Sequence, residues 1–394
     1  MVFIYNTNKN TKFRIFWFFV SLAEGSETRI PETRANRKND EIETCCIRKK
    51  EGGVPMKETI IFSILLVLAL TLSGEKLAEL DNLGRPEQIA VDGETLYVLE
   101  DTSVYMYSLK DYRLLKQFCK KGNGPGELKP LPNFKLQMAV DKSNVLVNSY
   151  SKMILYTKTG EILKERRYPF IALQVIPIDA NYAVTKSVFN ENEANSVGLC
   201  FFYNEFKENK NVYSRKYPHY KKSGRVDMLP NLVFIRKYDG KIFSFDQDGG
   251  FTINVYDSSG KLLNTIESDY KKQKMTRFFI DKTWEWAKKD IRLRNISEKI
   301  RQMAYFPEYF PVMKNFMVDD NKIYVQTYEM KMEKNQSRFV IVDFNGKILK
   351  KIYLAGADIN TIEPSAYTFK KGYYFYLFEN PKTEKIELHR ENIW

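Results

Sequence analysis

Histidine is almost missing from this chain. His219 and His389 are the two histidines among 394 residues, and they lie far apart with no obvious acidic or cysteine companion. Zinc centres and Ser-His-Asp triads both depend on imidazole groups. The sequence therefore argues against histidine-based metal binding or nucleophilic catalysis, and no other catalytic constellation stands out in it.

Cysteine is also scarce, with four residues. Cys45 and Cys46 lie in the N-terminal stretch, whereas Cys119 and Cys200 each lie within an apolar strand pattern. Such a setting favours two separate buried thiols over a disulfide. No cysteine stands directly after the apolar run at residues 59–73, so a lipid-anchored N-terminus is not expected.

Long apolar runs are missing except for one, at residues 59–73. It is shorter than the roughly 20 residues that span a bilayer, and it ends in small residues. We interpret residues 56–74 as a signal peptide that starts at Met56, preceded by a polar extension over residues 1–55 that a mis-assigned start would explain. The alternative is a signal anchor that keeps residues 1–55 in the cytoplasm. Both predict export to the periplasm, the cell surface or the medium.

One hydrophobic pattern occurs three times in a fixed order. Its copies cover residues 89–92, 96–98 and 104–107, then 138–141, 145–147 and 153–156, then 316–319, 323–325 and 339–342. Fixed-order copies of a multi-strand unit indicate a repeat architecture, because one small sheet cannot bury its hydrophobic faces alone. The sequence predicts an all-β fold, a β-propeller of four-stranded antiparallel blades.

The pattern provides five sets of four strands and a sixth set of three. The complete sets cover about 87–118, 133–168, 174–217, 232–266 and 316–353, and the last set ends at 385–388. An unpaired edge strand is a liability that closed rings avoid. Residues 76–80 have the alternation of a strand, so we predict a six-bladed propeller over residues 75–394 that its own N-terminal strand closes.

A helical insert at residues 269–312 interrupts the repeat between blades four and five. Asp281 is placed to cap a first helix that carries Trp284 and Ala287, and a second helix is predicted around Glu298. The outer face is basic, and the candidate ligand-binding residues are Lys288, Lys289, Arg292 and Arg294. The insert is either a cap packed on one mouth of the ring, or a lid or docking surface for an acidic partner.

A glycine-rich loop joins the first two blades, and its residues are Gly122, Gly124, Pro125, Gly126 and Glu127, with Asn123 between the first two glycines. Glu127 stands where a phosphate-binding G-x-G-x-x-G motif needs its third glycine, and no helix is predicted after it. We therefore predict a structural inter-blade turn.

The chain resembles the secreted six-bladed β-propeller proteins of bacteria, which are related to NHL-repeat and TolB-like propellers. The resemblance rests on this loop and on residues 306–311, and it covers roughly residues 76–394. The resemblance implies this fold, export and a non-enzymatic role.

Aspartates recur at the ends of the predicted first strands, notably Asp92, Asp141 and Asp319. A ring of carboxylates around the channel could hold Ca²⁺. We favour the simpler interpretation, in which each aspartate accepts backbone N–H bonds in its own turn. We therefore expect no metal and no cofactor, and these three residues are the candidates if a metal binds.

The charge balance is basic, with a formal net charge of +13. A basic excess favours anionic partners, although it also fits a lysine-rich solvated surface. We predict an exported, monomeric, non-catalytic propeller that binds a peptide, an acidic glycan or a protein at one mouth of its ring. Nucleic acid is not expected as a partner, and membrane contact is expected only through an uncleaved signal segment. The alternative is a metal-dependent hydrolase or lyase resembling gluconolactonase-like propellers.

Overall fold

A computed structural model describes residues 74–129, 135–188, 196–216, 226–227, 229, 232–247, 249–289, 297–331, 334–355 and 366–394. The extension at 1–55 and the apolar run at 56–73 lie outside these ranges, so the predictions made for them are not tested. Within the ranges, no helix has the length and apolar character needed to cross a membrane.

The described part of the chain contains six four-stranded antiparallel sheets. The first strand of the chain is β1 (Glu75–Leu80). Blade one contains β2 (Gln88–Asp92), β3 (Thr95–Glu100), β4 (Ser103–Ser108) and β5 (Leu114–Phe118), and the short strands β6 (Lys120–Lys121) and β7 (Glu127–Leu128) follow it. Blade two contains β8 (Gln137–Val140), β9 (Asn144–Asn148), β10 (Lys152–Thr157) and β11 (Ile162–Arg167), and blade three contains β12 (Ile171–Ile178), β13 (Asn181–Val188), β14 (Ser196–Tyr203) and β15 (Glu208–Lys216).

The second half of the chain continues the pattern. The two-residue strand β16 (Val226–Asp227) precedes blade four, which contains β17 (Val233–Tyr238), β18 (Lys241–Asp246), β19 (Thr252–Tyr256) and β20 (Leu262–Glu267). Helices α1 (Arg277–Lys289) and α2 (Ser297–Met303) and the short strand β21 (Ala304–Tyr305) come next. Blade five contains β22 (Asn315–Asp319), β23 (Lys322–Lys331), β24 (Gln336–Val342) and β25 (Ile348–Ala355), and blade six contains β26 (Tyr367–Lys370), β27 (Tyr373–Glu379) and β28 (Ile386–Asn392) with β1 as its fourth strand.

The six first strands contact one another around a ring. β2 lies beside β8, β8 beside β12, β12 beside β17, β17 beside β22, β22 beside β26, and β26 beside β2. The second strand of each blade carries long runs of buried residues, such as Leu96–Leu99 in β3, and these side chains pack against the neighbouring blades. This arrangement confirms the predicted six-bladed propeller.

The N-terminal strand closes the ring, as predicted. β1 pairs with β28 in an antiparallel register from Glu75 opposite Arg390 to Leu80 opposite Ile386. Ion pairs follow the seam: Glu75 to Arg390 at 2.8 Å and Lys76 to Glu387 at 2.7 Å. Contrary to the sequence analysis, His389 does have an acidic companion, because its Nε2 lies 2.9 Å from a Glu387 oxygen.

Turn chemistry fixes the register of the outer strands. In blade four, the Asp257 carboxylate accepts the backbone N–H groups of Ser259 and Lys261 at 2.9 Å each, and Gly260 has φ of 67°. Asp343 and Gly346 repeat this geometry in blade five. A left-handed backbone favours glycine because that residue has no Cβ.

Cys119 and Cys200 are free, buried thiols, as predicted.

The helical insert has the predicted place but a different first cap. α1 begins at Arg277, and the Thr276 hydroxyl accepts the N–H of Phe279 at 3.3 Å. Asp281 lies inside the helix and pairs with Arg277 at 3.2 Å. The prediction that Asp281 caps this helix is therefore wrong, because the helix starts four residues before it.

The two ends of the ring differ. The first strand of each blade runs towards the end of the ring that contains Asp92, Asp141 and Asp319. We call this end the turn mouth. The connections between blades, including the Gly122–Glu127 loop and the insert, lie at the opposite end, which we call the connection mouth.

Candidate functional site

The first strands surround a central channel, and alternate residues of these strands are partly exposed to it. In β2, Gln88, Ala90 and Asp92 are half-buried, whereas the residues between them are buried. Because the first strand is innermost in its blade, this exposure faces the channel or its mouths. Ala90 and its counterpart Ala139 in β8 are small, so they leave room there.

The three aspartates of the turn mouth each face a lysine. Asp92 pairs with Lys158 at 2.8 Å. Asp141 pairs with Lys237 at 3.5 Å, which joins blades two and four across the channel side of blade three. Asp141 also accepts two backbone N–H groups of its own turn, those of Ser143 and Asn144, at 2.9 Å each.

Asp319 accepts the backbone N–H of Lys371 at 2.6 Å and lies 3.9 Å from Lys370. Burial raises the pKa of this carboxyl, and the bond from Lys371 opposes that rise. Among the described residues, no three carboxylate, imidazole or thiol groups converge as metal ligands would. The geometry therefore does not bring Asp92, Asp141 and Asp319 together, and each serves a local turn or ion pair.

Arg236 lies deeper in the channel, on β17. Its Nη2 donates to Asn315 Oδ1 at 2.7 Å, its Nη1 donates to the Ile235 carbonyl at 2.7 Å, and its Nε lies 3.3 Å from Met317 Sδ. The guanidinium carbon is 5.5 Å from the centre of the Phe316 ring. Burial lowers the pKa of Arg236 to about 10, so the group stays charged at neutral pH.

Neutral amide side chains join first strands of neighbouring blades. Gln88 forms two bonds with the backbone of Met138 in the next blade, at 2.6 and 2.9 Å. Gln174 Oε1 accepts the N–H of Ile235 at 3.0 Å, one residue before Arg236. Polar side chains therefore help to join the strands that line the channel, in addition to apolar packing between the blades.

The glycine-rich loop is organised by two carboxylates and one buried lysine. Glu127 accepts the N–H of Gly124 at 2.9 Å, and Glu165 accepts the N–H of Gly126 at 2.7 Å. Lys152 is 5% exposed; it donates to the carbonyls of Gly124 and Glu127 at 2.8 Å each and pairs with Glu165 at 2.7 Å. Carboxylates occupy the N–H groups that a phosphate would need, so the loop has the geometry of an inter-blade turn.

Glycine is required within this loop. Gly126 has φ of 73°, and a Cβ there would lie 2.6 Å from Ile162 Cδ1. A Cβ on Gly122 would overlap the carboxylate of Glu127. Pro125 stands between these glycines, and Glu127 opens the short strand β7, which pairs in parallel with β6.

The insert is anchored at the connection mouth. Its two ends pair with each other, since Met275 donates to the Glu308 carbonyl at 2.8 Å and Phe310 to the Gln273 carbonyl at 2.9 Å. Phe310 stacks on Tyr328 of β23 with ring centres 4.7 Å apart, and Phe279 of α1 packs edge-on against Phe310 at 4.8 Å. β21 of the insert also pairs in parallel with β16, which precedes blade four.

The predicted ligand-binding residues of the insert are only partly described. Lys288 is exposed on α1 and lies 3.6 Å from Glu298 of α2. The side chain of Lys289 and the whole of Arg292 and Arg294 lie outside the described residues. Lys274, Arg277 and Lys282 each pair with an acidic residue of the insert, at 3.7, 3.2 and 2.6 Å. Such exposed pairs contribute little to stability.

Comparisons with known proteins concern the fold. The chain is similar to a member of the DUF4221 family from Bacteroides vulgatus, with 10% identity and a TM-score of 0.48, covering 82% of this chain and 98% of that one. It is also similar to BamB from Moraxella catarrhalis, at 10% identity and a TM-score of 0.33, covering 77% of this chain and 71% of that one. The Pan2 WD40 domain of Neurospora crassa matches at 8% identity and a TM-score of 0.38, covering 78% of this chain and 86% of that one. No family model and no curated protein matches the sequence. Identities this low carry no information on ligand or activity.

Proposed function

We propose that this chain is an exported, non-catalytic propeller of the NHL-like and TolB-like kind, which acts as a monomer and binds an acidic glycan, a peptide or a protein at its connection mouth. The observation that carries the proposal is the insert. Among the described residues it is the largest departure from the four-strand repeat, and Phe279, Phe310 and Tyr328 fix it to that mouth. Rigid blades that hold variable connections around a pocket suit ligand binding.

Charge favours an acidic partner at this surface. Residues 269–312 contain 11 basic and 6 acidic residues. The described lysines and arginines of the insert are largely exposed, with Lys274 and Arg277 more than 70% exposed. A cationic surface beside a mouth attracts anionic ligands over a distance set by the ionic strength.

The test is binding to arrays of acidic glycans and cell-envelope peptides. The insert variant changes Lys288, Lys289, Arg292 and Arg294 to Ser. The matched control changes four exposed lysines of the turn mouth, Lys142, Lys241, Lys261 and Lys347, to Ser, so both variants lose the same charge. We expect the insert variant to lose its array signals and the control to keep them. Equal array-binding profiles for the two variants would show that the insert is not part of the binding site.

Export is tested separately by N-terminal sequencing of protein recovered from an exporting bacterial host. The proposed signal peptide predicts a mature chain that begins at Gly74 or Glu75. Recovery of protein that retains residues 1–55 would instead support the signal anchor.

A further inference from the structure

The second observation concerns Arg236, which lies in the channel and apart from the insert. Its guanidinium contacts Asn315, at the start of β22, and therefore lies in the half of the channel nearer the connection mouth. Arg236 as a residue is half-buried, on the innermost strand of its blade.

Arg236 differs from the other half-buried arginines in the described part of the chain. Each of those binds a carboxylate: Arg166 to Glu205, Arg215 to Asp246, Arg338 to Glu329 and Arg390 to Glu75. Within the same residues, the contacts of Arg236 are a carbonyl, an amide oxygen, a thioether and an aromatic ring, all of them neutral. Its charge has no counter-ion there.

A confined charge without a counter-ion is costly, and arginine does not relieve the cost by losing its proton at neutral pH. Of the five N–H donors of guanidinium, these contacts occupy three, and two remain. On the neighbouring first strand, Gln174 Oε1 accepts the N–H of Ile235, and the NH₂ group of Gln174 has no hydrogen-bond partner among the described residues. The site is therefore rich in donors and holds no described anion.

We propose that Arg236 anchors an oxyanion-binding site in the central channel, which takes the carboxylate or phosphate group of a ligand entering from the connection mouth. A guanidinium fork matches both groups in shape and charge. This inference deepens the proposed function, since it names the chemical group that would reach the channel while the insert holds the rest of the ligand.

The test titrates folded protein with inorganic phosphate and, separately, with acetate, at constant ionic strength kept with chloride. We expect a saturable rise in melting temperature for the wild type, because an anion that binds the folded state stabilises it by mass action. A stronger response to phosphate or to acetate identifies the preferred group. A wild type that responds to neither anion beyond chloride overturns the proposal.

Three variants make the result specific. Arg236→Met removes the charge and keeps a long side chain, so we expect no saturable rise and no loss of melting temperature without anion. Arg236→Lys keeps the charge but not the fork, so we expect binding at least about tenfold weaker. Arg277→Met, an exposed arginine of the insert, is the matched control and keeps the wild-type response. An unchanged anion response in Arg236→Met or Arg236→Lys contradicts the proposal.

Failure here is distinguishable from failure of the proposed function. The insert variant with four serines should retain the phosphate or acetate response, because none of its changes lies in the channel. Loss of array binding with an intact anion response would contradict only the role of the insert. Loss of the anion response with intact array binding would contradict only the channel site.

Discussion

At the scale of single residues, the cations enclosed by this propeller have different roles. Lys152 is surrounded by two carbonyls and a carboxylate, which use its three donors. Arg236 has neutral partners among the described residues. The first arrangement holds a loop in place, and the second leaves a charge available to a ligand.

We predict that Lys152→Met destabilises the protein by about 3 kcal/mol, because the change leaves Glu165 and two loop carbonyls without their charged partner. Urea unfolding measures the loss. Lys116→Met, an exposed residue of the same type on β5, should change the free energy of unfolding by no more than about 0.5 kcal/mol. Equal effects of the two substitutions would show that Lys152 does not organise the loop.

Local chemistry can be predicted from this sequence better than long-range contacts. Asp257 with Gly260 could be read as a turn because all its bonds lie within five residues. Arg236 could not be singled out, because its partner Asn315 is 79 residues away in the next blade. Lys152 was missed for the same reason, since its loop lies 25 to 28 residues earlier.

At the scale of elements, the seam between β1 and β28 depends on Glu387. Burial alone would raise the pKa of this carboxyl, but hydrogen bonds from Asn380, Lys76 and His389 hold it at about 2. A carboxyl whose pKa is depressed in the folded state stabilises that state above its unfolded pKa of about 4.5. That contribution is lost as the pH falls from about 4.5 towards 2.

We therefore predict that Glu387→Gln lowers the melting temperature at pH 7 and that the gap to the wild type narrows as the pH falls from about 5 to 3. Thermal unfolding across this range is the measurement. Glu161→Gln, at an exposed turn, is the control and should show no such pH-dependent gap. A gap that stays constant with pH would mean that Glu387 acts through packing instead of charge.

The strand β1 itself should be essential to closure. Deleting Glu75–Leu80 exposes the edge of β28 and removes the buried side chain of Leu80, so we expect the melting temperature to fall by roughly 10 °C. Because β1 runs antiparallel to β28, the same six residues appended after Trp394 through a short Gly-Ser loop can form a hairpin with β28. We expect this second variant to regain most of the lost stability; no difference between the three proteins would show that the seam is not needed.

The boundaries of the helices are harder to predict from the sequence than their presence. The spacing of apolar residues indicated a helix in the insert, and α1 is there. Asp281 was predicted as the cap because it precedes the helix face that carries Trp284 and Ala287. The helix instead begins at Arg277 and includes Phe279, which packs against Phe310, a contact that depends on the tertiary fold.

At the scale of the whole molecule, the two mouths have different chemistry. At the turn mouth, Asp92, Asp141 and Asp319 each pair with a lysine. The connection mouth contains the glycine-rich loop, the insert and the approach to Arg236. The hydrophobic repeat predicts the ring because every blade buries the same faces, but it does not distinguish the mouths, since the long connections have no repeat.

Binding at the connection mouth can be tested by hydrogen exchange of the protein, measured with and without the strongest ligand from the arrays. We expect slower exchange in the loop at 119–129 and in the insert at 273–289 and 297–312, with no change in the turns at 141–144 and 257–261. Protection confined to those turns, with the loop and the insert unchanged, would contradict it.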